Sequence, residues 1–274
     1  MNKINLIGLL FFCFSLSAKA QDSLLMDSNV FETEVEQQLW EKGKVETFDL
    51  FRAVSAEELV ESEKWSQLSR ELQIKKSKTR NELNFLRILF QKTHKRVLKN
   101  YEQHSTFNDL LGQGDFDCVS GSAALGILLE RFDYDFEIIE TDYHVFIIVN
   151  LDGKNIILES TLPIGGMITS TSKVKAYLDS YKPKEYAQVT SYNQRIGDTS
   201  FDISENAIFR KVDMVQLAGL LYYNDAILDF NSQKYRKAAD QLTKAYILYP
   251  SPRVLGLREL SQELAYKTYG YDLK

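Results

Sequence analysis

Apolar and polar positions divide the chain into stretches with different periods. Between Phe48 and Leu98 the apolar residues recur at mixed threes and fours, the spacing of amphipathic helices. Ser55-Ala56-Glu57-Glu58 has the form of a capping box, in which the serine hydroxyl accepts a backbone N–H and the glutamate reaches back. It predicts a helix passing through Trp65, Leu68 and Leu72. A second helix is expected to take in Leu83, Leu86, Leu89, Phe90 and Val97. Residues 21–35, ahead of both, are polar and weakly patterned, as a leader or docking arm would be.

Gly112 and Gly114 interrupt the helical pattern. Asp117 is a good N-cap, so Cys118 is expected in the first turn of a helix running to about residue 131. Gly121, Ser122, Ala123 and Ala124 would let that helix lie close against a neighbour, while Leu125, Leu128 and Leu129 supply bulk. Residues 136–140 and 143–150 are β-branched and aromatic in character. Asp152-Gly153 is a hairpin turn, and residues 155–161 return as a strand. With Asp152 and Gly153 as the central pair, Leu151 pairs with Lys154, His144 lies opposite Thr161, and Phe146 lies opposite Glu159. His144 and Glu159 then share a face as diagonal neighbours, about 7–8 Å apart. A loop one residue longer would send Glu159 to the opposite face. Further on, the pattern predicts a helix over 172–181 stopped by Pro183, an irregular polar stretch at 192–202, and closing helices over 212–230, 234–249 and 252–266.

Composition narrows the classes. The chain carries 33 basic and 38 acidic residues, a formal net charge of −5, which argues against a nucleic-acid partner. The basic clusters at Lys75, Lys76, Lys78 and Arg80 and again at Lys92, Lys95, Arg96 and Lys99 read as solvated helix faces. Residues 1–20 have the form of a signal peptide: Lys3 gives a positive start, residues 4–16 are apolar, and Ala18-Lys19-Ala20 fits a cleavage site. An exported protein, periplasmic or secreted, is expected. The apolar run is short for a membrane span and nothing later approaches one, so no integral membrane segment is expected after signal removal. Cys13 would leave with the signal, making Cys118 the single thiol of the mature chain.

That thiol has promising neighbours. A thiolate is the reactive form of cysteine, favoured by a helix N-terminus and by an imidazolium partner. Cys118 meets the first condition, and His144 would meet the second if its strand crosses the helix. Glu159 would then hold one imidazole nitrogen and leave the other facing sulfur, the role of a third triad member. Asp115 and Asp117 oppose this by placing negative charge near the thiol. One thiol and three scattered histidines are too few for zinc, and His94 and His104 read as surface or packing residues. Gly112-x-Gly114 lacks the third glycine of a dinucleotide loop, and Asp133-x-Asp135-x-Glu137 lacks the glycine of a calcium loop. No cofactor and no metal are expected.

The segments Asp117-Cys118-Val119-Ser120-Gly121-Ser122-Ala123, Tyr143-His144-Val145-Phe146 and Leu158-Glu159-Ser160-Thr161 resemble the transglutaminase-like branch of the papain-like cysteine enzymes. The resemblance implies an α+β fold, a helix packed on a small antiparallel sheet, with Cys118, His144 and Glu159 as catalytic residues and Gln113 as an oxyanion donor. It also implies a peptide or protein substrate, cleaved at an amide bond or transferred to an amine. Ala226, Ala238, Leu242, Ala245 and Pro250 resemble a single tetratricopeptide helix pair, with Asp225 and Asp229 where that repeat usually has leucine and tyrosine. One unit of this kind is expected to pack on the rest of the chain, because stacked repeats normally need about three for independent stability. The expected organisation is a signal peptide at 1–20, a helical N-terminal region at 21–104, a transglutaminase-like core at 105–211 and a tetratricopeptide-like segment at 212–274. Two other readings stay open: an inactive scaffold that binds a partner through its helical ends, and a Cys118 that is merely a small buried residue.

Overall fold

In a computed structural model, which describes residues 30–181 and 208–270, the N-terminal region is helical. Helix α1 (Glu34–Gly43) starts at Thr33, whose hydroxyl accepts the Glu36 amide at 3.0 Å. It is followed by α2 (Thr47–Ala53), α3 (Glu63–Lys78) and α4 (Glu82–Arg96). The expected capping box at Ser55 does not form. The cap of α3 is Ser62, which accepts the Trp65 amide at 3.2 Å. Ser55 instead sits at a left-handed φ of 50° and donates to Asp225 at 2.7 Å. A buried acceptor far along the chain has claimed the hydroxyl that local pattern assigned to a helix start.

The central stretch opens with β1 (Asn100–Tyr101), α5 (Phe107–Gly112), β2 (Asp115–Phe116) and α6 (Cys118–Arg131). The two short strands pair in parallel, Tyr101 beside Phe116, and carry residues 101–104 to the N-terminus of α6. Then come β3 (Asp135–Thr141), β4 (Val145–Leu151), β5 (Lys154–Leu158), β6 (Met167–Ile168), α7 (Thr171–Tyr181) and β7 (Phe209–Val212). The five longer-range partners form one antiparallel sheet in the order β6-β5-β4-β3-β7. Asp152 and Gly153 both have positive φ, 50° and 72°, as a type I′ hairpin requires, and Leu151 pairs with Lys154 as expected. The near-continuous apolar run of β4 follows from burial on both faces. Val145, Ile147 and Val149 join the main core under α6, while Phe146 and Ile148 pack toward α7.

Three helices close the chain: α8 (Met214–Asn231), α9 (Tyr235–Leu248) and α10 (Pro252–Tyr269). Ala226, Ala238, Leu242 and Ala245 are buried where the helix pair meets. Asp225 is buried too, and accepts from Gln241 at 2.7 Å as well as from Ser55. Lys244, fully buried, donates to Glu36 at 2.6 Å beneath the rings of Phe31 and Tyr222. The segment is therefore packed onto the N-terminal helices and α6, and a single apolar cluster runs from Leu39 to Val254. The fold is α+β. No described helix is long and apolar enough to cross a membrane. The expected signal peptide at 1–20, the stop at Pro183 and the irregular stretch at 192–202 lie outside the described residues.

Candidate active site

Asp117 organises the first turn of α6. Its carboxylate accepts the amides of Val119 at 2.9 Å and Ser120 at 2.8 Å, and the Asp117 amide donates to the Ser120 hydroxyl at 2.9 Å. Cys118 is thereby the first residue of the helix, half-buried and free. The small face of α6 seats it against the sheet: a Cβ on Gly121 would come within 2.9 Å of the Ser160 hydroxyl.

Glu159 follows β5 directly and is buried. Oε1 accepts the Thr161 amide at 2.9 Å and the Thr161 hydroxyl at 2.7 Å. Oε2 accepts the Tyr177 hydroxyl and meets His144 Nε2 at 2.5 Å. The diagonal relation expected from the hairpin register is thus a direct contact. Gly166 closes the loop behind it, its carbonyl accepting the Glu159 amide at 2.9 Å; a Cβ there would sit 2.5 Å from the Glu159 carbonyl oxygen. Burial works to raise the Glu159 pKa, but the His144, Tyr177 and Thr161 hydrogen bonds outweigh it and hold the carboxyl below its ordinary value. The His144 ring stacks on Tyr181 with centroids 5.7 Å apart. With Nε2 engaged, Nδ1 is the nitrogen available to a thiol.

Cys118 and His144 line one cavity of about 310 Å³. Val145, the residue after His144, lines the same cavity. The thiol pKa departs from expectation. Burial, then the charge of Asp117, push the thiol up to about 12, with Glu159 adding to the effect and the Val145 and Cys118 amides opposing it. Sitting at a helix N-terminus does not lower this thiol, because partial burial and the neighbouring capping carboxylate outweigh the helix.

Gln113 is a correction. It is the exposed C-cap of α5, with its amide bonded to the Asp109 carbonyl at 2.9 Å, and it does not line the cavity. The chain turns away through Gly114, at φ 94°, before reaching Asp117. The opposite wall comes from the C-terminal helices instead: Tyr223 and Asn224 on α8 and Arg253 on α10, with Asn224 Nδ2 donating to Asp117 Oδ2 at 3.1 Å. Arg253 is held by Glu140, which also accepts Arg210 at 2.7 Å and the Tyr249 hydroxyl. Tyr143 stands exposed at the cavity mouth, and His104, at a φ of 65°, faces the same space. His104, Asn224, Arg253 and Tyr177 are missed by sequence spacing, although all but His104 sit in helices that the pattern predicts. His94 is a packing residue, buried between Phe90 and Phe116. Among the described residues no group of three or more His, Cys, Asp or Glu is placed to hold a metal ion. Compared with family models, with curated proteins and with solved structures, the chain matches none.

Proposed function

We propose that the chain is an exported cysteine enzyme of transglutaminase-like type, acting on amide bonds through Cys118, His144 and Glu159. The observation that carries this reading is the contact of His144 Nε2 with Glu159 Oε2 at 2.5 Å, behind a histidine that shares a cavity with the thiol. The resting thiol holds its proton. As sulfur adds to the substrate carbonyl carbon, His144 Nδ1 takes that proton, and the ionised Glu159 stabilises the imidazolium through Nε2. The carbonyl π pair moves to oxygen and returns as the amine leaves with the proton from His144. The resulting thioester passes its acyl group to water or to a second amine. A transglutaminase-like core and a peptide or protein substrate belong to this reading on the strength of the matching segments, and export on residues 1–20.

The raised thiol pKa favours a second reading, a catalytically inactive scaffold that binds a partner through its helices. Alkylation of Cys118 with iodoacetamide across pH, in the wild type and in His144→Ala, separates the two. The enzyme reading expects Cys118 of the folded protein to alkylate with His144 taking its proton, at a rate that falls in the variant. Alkylation only after denaturation, or with the same unperturbed profile in both proteins, would overturn the enzyme reading.

A further inference from the structure

The cavity holds a side-chain amide that the triad does not use. We propose that Asn224 is a catalytic residue, the side-chain donor of the oxyanion hole, working with the backbone N–H of Cys118. The assignment rests on the cysteine-enzyme reading above. Asn224 comes from α8, on the wall facing the nucleophile, and lines the cavity with Cys118 and His144. Its Nδ2 spends one hydrogen on Asp117 Oδ2 at 3.1 Å. That bond aims the amide at the first turn of α6, beside the residue whose sulfur attacks. An NH₂ group carries two donors, and the second has no acceptor among the described residues. Asp117 is itself fixed by the Val119 and Ser120 amides, so the donor is held in place before any substrate arrives. Preorganisation of this kind is what makes a hydrogen bond effective against charge that develops only during reaction.

The chemistry needs such a group. When sulfur adds to a carbonyl carbon, the oxygen gains a full negative charge, and the nearby carboxylate Asp117 would repel it. A neutral amide tied to Asp117 both screens that carboxylate and offers a donor to the oxyanion. The helical segment that resembles a tetratricopeptide pair is therefore part of the catalytic centre, and the substrate's acyl group lies between α6 and α8.

Acylation by 4-nitrophenyl acetate tests this with a probe of known chemistry. Sulfur adds to the ester carbonyl, the tetrahedral oxyanion collapses, and 4-nitrophenolate leaves while Cys118 is acetylated. Iodoacetamide alkylation is the control, because displacement of iodide at carbon forms no oxyanion. Asn224→Ala is expected to alter alkylation only slightly, through the unscreened Asp117, while Cys118-dependent nitrophenolate release falls roughly 100- to 1,000-fold. Asn224→Ser, which keeps a small polar side chain on α8, guards against a folding defect and is expected to lose acylation to a similar degree. Wild-type acylation rates in both variants would overturn the assignment. So would a parallel loss of alkylation and acylation in folded protein, which would mean that Asn224 acts only through Asp117. A wild type in which Cys118 neither alkylates under native conditions nor acylates would overturn the enzyme reading itself, and the assignment with it.

Discussion

Glu159 lies near two histidines and treats them differently. His144, on the loop entering β4, meets its Oε2 and opens onto the cavity. His94, on α4, feels the same carboxylate only through its charge: both ring nitrogens are buried without a hydrogen-bond partner. Burial drives the His94 pKa down from 6.5 to about 4, and the attraction of Glu159 recovers only part of the loss. Proximity to a carboxylate is therefore not enough to bring an imidazole to the cavity here. A direct hydrogen bond and an open face are what separate one histidine from the other.

The largest effect should come from breaking the productive member of this pair. Glu159→Gln keeps an acceptor for Thr161 but removes the charge that stabilises an imidazolium. Cys118-dependent release of 4-nitrophenolate should fall roughly 10,000-fold, the scale seen when a triad loses its acid.

His94 should show itself in stability. Between pH 6.5 and about 4 the unfolded chain takes a proton on His94 that the folded chain refuses, so stability falls as pH falls through that window. The full interval corresponds to about 3 kcal/mol. His94→Leu should flatten this part of the profile, which urea midpoints measured at several pH values would reveal. An unchanged slope would mean that His94 is solvated in the native protein.

Gly166 tests whether Glu159 depends on its loop. A Cβ there would collide with two backbone carbonyls, so Gly166→Ala should cost about 1–3 kcal/mol of stability, read from a lower denaturant midpoint, and weaken acylation through displaced Glu159. Asp117→Asn should have the smallest effect. Asparagine caps a helix about as well as aspartate, so stability should hold, while loss of the charge beside Cys118 should shift its alkylation profile to lower pH.

Much of the sheet side of the site was legible because its determinants are local. Asp152-Gly153 fixes a two-residue turn, the turn fixes register, and register alone brings His144 and Glu159 together. Asp117 likewise announces the helix that Cys118 begins. The other wall was not legible, since Asn224 reaches Asp117 across more than a hundred residues and no spacing rule spans that distance. Ser55 was misread for the same reason: Asp225 and Gln241 offered it partners that the local pattern could not include. The two aspartates that depart from the tetratricopeptide pattern then have an explanation. Asp225 is buried by design of this docking, and Asp229 sits near Lys234 and Lys237.

Glu140 gathers Arg210 from β7, Tyr249 from the C-cap of α9 and Arg253 from α10 at the back of the cavity. Its consequence concerns the order in which the molecule is made. Chains emerge from the N-terminus, and domains generally fold as units once their residues are available. Cys118, His144 and Glu159 can meet early, and Arg210 reaches Glu140 once β7 has paired with β3, but Arg253 arrives only when α10 has been synthesised and has docked. A partly made chain thus lacks one wall of its cavity, and the completed cavity is among the last features to appear during biosynthesis.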